Sequence, residues 1–169
     1  MELNSLPPNA AEAEFLKCCG SKQWAQRMAA ARPFSSLSEL IECSNRIWWS
    51  LRPADWLEAF HSHPKIGEKK AAAAVTREAQ QWSEAEQAGV REATAETTAA
   101  LAELNETYEK KFGYIFIVCA TGKTSEEMLR ILRERLPHDR KEELRIAAAE
   151  QAKITELRLR KLVATQAVS

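Results

Sequence analysis

Apolar residues recur at helical spacing along most of this chain. Leu37, Leu40, Ile41, Ile47, Trp48 and Leu51 form one stripe, opened by the capping-box pattern Ser36-Leu37-Ser38-Glu39. Ser21 can cap an earlier helix through Ala31, ended by Arg32-Pro33. Arg52-Pro53 stops the Ser36 helix, and Pro53 can begin another that runs to about His61. Beyond the His63-Pro64 bend, Lys69 to Gln81 is helix-prone but weakly amphipathic. A long helix is expected from about Glu84 to Lys110, striped by Val90, Ala93, Thr97, Leu101, Leu104 and Tyr108, with Gly89 as its weak point. Thr124 or Ser125 caps a helix ending near Leu136-Pro137, and Asp139 opens a last one to about Val163.

Only Phe112 to Ala120 reads as extended. It is rich in β-branched and aromatic residues and apolar on both faces, so burial is expected. No second strong strand exists to pair with it, so no sheet is expected. With 28 Ala against 5 Gly, helix is favoured over hairpin turns. The expected fold is all-α: one compact multi-helix domain over residues 1–169, with a short buried extended segment near 112–120.

Charge narrows the partners. Lys+Arg and Asp+Glu are 24 each and interspersed, so no net field draws nucleic acid or anionic lipid. No stretch approaches the roughly 18 to 20 apolar residues of a membrane span. The start, Met1 to Pro8, lacks a signal-peptide pattern, and Ala167-Val168-Ser169 is not a peroxisomal address, so a cytoplasmic location is expected. Cys18, Cys19, Cys43 and Cys119 show no Cys-x-x-Cys spacing and read as reduced, buried small hydrophobes.

Candidate chemistry begins with the scarce histidines. His61 and His63 are two residues apart, which points them in different directions on a helix, and no third ligand lies nearby; no metal site is assigned. His61 suits a helix C-terminus, where a cation complements the dipole. Pro64 holds His63 in extended geometry, so its ring leaves the helix axis and can enter a cleft. On local grounds a catalytic His63 and a structural helix stop stand even. Ser83-Glu84-Ala85-Glu86 is itself a capping box, but Ser83, Glu86 and Gln87 also make a polar cluster at a positive helix N-terminus, suited to an anionic or urea-like ligand. Arg158 projects within the apolar arc of the last helix and needs a partner there, either Glu150 or a substrate carboxylate. The turn Thr121-Gly122-Lys123 lacks the upstream Gly of a phosphate loop and is not assigned.

The same residues fall into a recognisable order. Phe15-x-x-Cys18-Cys19-Gly20-Ser21-x-x-Trp24, Arg32-Pro33-Phe34, His63-Pro64-x-Ile66-Gly67 and Trp82-Ser83-x-x-Glu86-Gln87 come first. Asn105-x-x-Tyr108-x-x-Lys111-Phe112-Gly113-Tyr114-Ile115-Phe116 and Leu157-Arg158-Leu159 follow. Together they closely resemble the 2-oxo-4-hydroxy-4-carboxy-5-ureidoimidazoline (OHCU) decarboxylases of urate degradation, over nearly the whole chain. The resemblance implies an all-helical homodimer that uses neither metal nor organic cofactor and converts OHCU to (S)-allantoin. It implies His63 as the catalytic histidine with Glu86 as its companion carboxylate. Pro64, Ser83, Gln87 and Arg158 would contact the substrate, and backbone around Ile117, Val118, Cys119 and Ala120 would line its pocket. The rival readings are a non-catalytic helical interaction domain, with His63-Pro64 and Ser83/Glu86 purely structural and Arg158 in an internal ion pair, and a helical metallohydrolase using His61, His63 and carboxylates.

Overall fold

Hydroxyl side chains at the expected positions start three of the helices. In the computed structural model, which describes residues 1–64 and 94–168, Ser21 accepts from the Trp24 amide, Ser36 from Glu39 and Thr124 from Glu127. Each satisfies one of the amides that a helix start leaves unpaired. At the second of these caps the carboxylate of Glu39 turns to Ser35, taking its amide at 2.6 Å and its hydroxyl at 2.5 Å. The reciprocal half of the box is thus shifted back by one residue.

The described helices are α1 (Pro8–Cys18), α2 (Lys22–Ala30), α3 (Leu37–Ser50), α4 (Pro53–His61), α5 (Ala95–Phe112), α6 (Ser125–Arg135) and α7 (Arg140–Val168), with a single 3₁₀ turn at Glu2–Asn4. No strand occurs among the described residues, and the fold is all-α. Nor is any helix among them long and apolar enough to cross a membrane. All four cysteines are free and buried.

Three differences from the sequence pattern have local causes. The α1 helix is absent from the pattern, yet Pro8 supplies a preset φ at its start and Ala11, Phe15 and Cys18 bury one face. The expected helix from Glu84 to Lys110 does not run through Thr94, which is extended (φ −65°, ψ 156°) and whose side chain accepts from Thr97, capping the start of α5. The expected segment Lys69 to Gln81 and the first part of the Glu84 helix lie outside the described residues. Finally, α7 runs on to Val168 rather than stopping near Val163, since no Gly or Pro follows to end it.

The chain divides into two compact units, Met1–Ala59 with Ala152–Ser169, and Phe60–Gln151. In the first, α1 packs on α2 and α2 on α3. Phe15 meets Trp24 and Phe34 edge to face, with ring centroids 5.8 and 6.4 Å apart. The N-terminal turn is tied to this core by polar contacts. Asn4 donates to the Phe34 carbonyl and accepts from the Phe34 amide, both at 2.8 Å. The Arg32 guanidinium donates to the carbonyls of Leu3 and Leu6, each at 2.7 Å. Glu58 accepts the amide of Lys22 at the positive start of α2.

In the second unit α5 packs on α6. Gly113 closes α5 in the left-handed conformation (φ 85°), which a residue without Cβ adopts at no steric cost. The chain then runs extended, as its composition predicts, with Tyr114 and Phe116 to Cys119 buried. Tyr108 meets the rings of Phe112, Tyr114 and Phe116. Beside it lies a buried polar network. Glu143, with no exposed surface, accepts from Tyr108 Oη, from Arg135 Nε at 2.8 Å and Nη2, and pairs with His138 Nδ1 at 3.1 Å. Arg135 stacks over Phe116, 4.7 Å from the ring centroid.

Candidate functional site

The turn that ends α4 carries His63. Its backbone amide donates to the Phe60 carbonyl at 3.2 Å, so the chain leaves the helix through one more hydrogen-bonded turn before Pro64. His63 and Pro64 are half-buried, whereas His61 is exposed at the helix end. The two histidines therefore differ in setting, as their spacing predicts.

The imidazole of His63 is held from α7. Its Nε2 lies 2.5 Å from Oε1 of Gln151, a side chain with no exposed surface. A carbonyl oxygen only accepts, so Nε2 is the protonated nitrogen in this contact. One residue earlier on α7, Glu150 Oε1 accepts the amide of Cys119 at 3.1 Å. Consecutive residues of one helical turn thus fasten the His63 turn and the extended segment.

Side chains anchor two carbonyls of that segment. Ile117 O accepts from Arg135 Nη1 at 2.6 Å, and Cys119 O accepts from Lys123 Nζ at 2.7 Å. Ile117, Val118 and Cys119 are buried and Ala120 is half-buried. Lys123 closes the following turn, its own amide donating to Ala120 O at 3.0 Å.

Arg158 belongs to the first unit. It is 5% exposed, in line with its place in the apolar arc, among Ile154, Thr155, Leu159 and Leu162. Its charge is felt at Cys19, whose thiol is pushed from 9.0 up to about 11 chiefly by burial. Contacts with Ser21, Thr155 and the Arg158 cation oppose that rise, and the Glu58 charge adds to it. Ser83, Glu86 and Gln87 lie outside the described residues. Among the described residues, no three His, Cys, Asp or Glu side chains gather as a metal cluster.

Two groups escape a reading of the sequence. Gln151 and Glu143 are both fully buried on α7. The available signal is the one that marks Arg158: a polar residue in phase with Ala147, Ala148, Ile154 and Leu162 at intervals of three or four. Their partners, 88 and 35 residues away in His63 and Tyr108, leave no local trace.

Comparison with known proteins fits this architecture to a family. Residues 4–160 match the pattern of the family described as OHCU decarboxylase. The chain belongs to that family. It is 41% identical over 157 residues to the uric acid degradation bifunctional protein TTL of Arabidopsis thaliana, an alignment covering 92% of this chain and 48% of that protein. It therefore spans about half the length of that relative. A 2-oxo-4-hydroxy-4-carboxy-5-ureidoimidazoline decarboxylase of Haloferax volcanii is 30% identical over 137 residues, covering 80% of this chain and 77% of its own. A crystal structure of OHCU decarboxylase in the presence of (S)-allantoin superposes with a TM-score of 0.77 at 40% identity, covering 89% of this chain and 97% of that one.

Proposed function

We propose that this protein is a carboxy-lyase that decarboxylates OHCU to (S)-allantoin in urate degradation, with residues 1–169 acting as one OHCU decarboxylase-like domain. The observation that carries the reading is the family match over residues 4–160, which includes His63 and Arg158. His63 acts as general acid and base, with Glu86 as its companion. Pro64, Ser83, Gln87, Arg158 and the backbone of Ile117 to Ala120 receive the substrate.

The chemistry demanded by OHCU suits these groups. The substrate carries a carboxylate and a hydroxyl on one carbon, next to a C=N bond. Breaking the carbon–carboxylate bond releases carbon dioxide and pushes the electron pair towards the C=N bond. The nitrogen of that bond takes a proton from solvent, the hydroxyl gives up its proton to become a carbonyl, and the neighbouring carbon takes a proton on one face. An imidazole titrating near neutrality can accept the hydroxyl proton and supply the one taken up by carbon, a role typically worth about 10²–10⁴-fold in rate. Arg158 suits the anionic end of the substrate, and the amide of Gln87 suits ureido N–H and C=O groups. No metal or organic cofactor takes part in this scheme. The reading includes a homodimer, implied by the family resemblance, and a cytoplasmic location.

The test is circular dichroism during urate breakdown with the enzymes for urate oxidation and hydroxyisourate hydrolysis supplied. Adding this protein is expected to accelerate the appearance of (S)-allantoin. Unchanged, racemic decay of the intermediate would sink the proposal.

A further inference from the structure

We propose that Gln151 is a positioning residue for the reaction: its side-chain carbonyl holds the Nε2–H of His63, fixing the ring's orientation and its tautomer. The inference rests on His63 being the proton-handling group. Its geometric basis is independent of that reading. Gln151 Oε1 stands 2.5 Å from His63 Nε2, and Gln151 has no exposed surface. A glutamine in the apolar arc of α7, flanked in phase by Ala147, Ala148 and Ile154, is costly to bury without polar partners. One of those partners is the imidazole. His63 itself comes from a half-buried turn that ends at a proline, where backbone geometry alone leaves χ1 and χ2 undetermined.

The consequence is chemical. With the proton of the neutral ring kept on Nε2, the basic lone pair lies on Nδ1. The proton moved in the reaction therefore goes on and off Nδ1, while Nε2 stays with Gln151 throughout. A carbonyl oxygen accepts from the neutral ring and more strongly from the charged one, so the contact survives each proton transfer. A ring that turns about its bond loses its alignment with the substrate, and misplacement of a catalytic group by about 1 Å can cost on the order of 10²-fold.

The tautomer can be read directly by ¹⁵N NMR of histidine-labelled protein at alkaline pH, where the ring is neutral. His63 is assigned by the signals lost in His63→Ala. We expect pyrrole-like Nε2 and pyridine-like Nδ1 in the unsubstituted protein; the reverse pattern overturns the inference without any Gln151 variant. Gln151→Leu is expected to lower kcat about tenfold to about a hundredfold, keep KM within about twofold, and lose the fixed tautomer. Gln151→Glu restores an acceptor and is expected to recover both. A kcat and tautomer unaltered by Gln151→Leu, or a change confined to KM, overturns the role. If instead His63→Ala retains enantioselective turnover, the catalytic reading of His63 fails, and the spectrum still decides whether Gln151 fixes the ring.

Discussion

Arg135 reaches Ile117 through a 2.6 Å hydrogen bond to its carbonyl while the same guanidinium is neutralised by Glu143. An extended run with no strand beside it among the described residues must satisfy its backbone groups some other way. Here a buried side chain takes the place of a neighbouring strand.

Breaking this arrangement on one side should be severe. Glu143→Gln leaves Arg135 charged and buried, and removing one partner of such a pair typically costs about 3–5 kcal/mol. Urea unfolding should show the midpoint fall accordingly. A loss below about 1 kcal/mol would mean that Arg135 is compensated elsewhere. Replacing both, as Arg135→Met with Glu143→Leu, should recover part of the stability, because no uncompensated charge remains.

His63→Ala should keep the fold, with the melting temperature lowered by a few degrees because the buried Gln151 loses its contact with the ring, and reduce turnover by at least about two orders of magnitude, the general acid–base scale. Its product should drift towards racemic allantoin, since spontaneous decay then competes. Near-normal enantioselective production by this variant would remove His63 from the mechanism.

For Arg158→Ala the expected change is mainly in KM, by about tenfold or more, the weight of a charge-assisted hydrogen bond. A destabilised protein with an unaltered KM would assign Arg158 to the interior of its own unit instead.

Alkaline stability follows from Cys19. Its folded pKa, about 11, lies above the ordinary 9.0, so above pH 9 the unfolded chain binds fewer protons than the folded one. The stability contributed by keeping this thiol neutral is therefore complete below pH 9 and lost between 9 and about 11. The loss amounts to about 2–3 kcal/mol by linkage. Tyr114, raised from 10.0 to about 12 by burial, acts in the same direction. Comparing Cys19→Ala with the unsubstituted protein across this range isolates the thiol: the variant should fall less steeply. Parallel curves would show that Cys19 ionises normally.

What could be read from the sequence was local. Ser21, Ser36 and Thr124 start helices because their hydroxyls bond amides three residues on, and the Pro33 and Pro53 stops act on the adjoining residue. The start of α5 at Thr94 was hidden, since the stripe through Ala93 and Thr97 runs across it unbroken. Arg158 stood out because one cation interrupts an apolar arc. Glu143 and Gln151 interrupt the same helix less conspicuously, and what they bind is set by packing, far away in sequence. Ser83, Glu86 and Gln87 lie outside the described residues.

Glu150 and Gln151 are neighbours on one turn of α7, the first fastened to Cys119 and the second to His63. The spacing between imidazole and extended segment is consequently gauged by a single peptide unit rather than by two independent loops. Any twist of that turn displaces both together, so a substitution that bends α7 there should disturb orientation at His63 and Cys119 in concert.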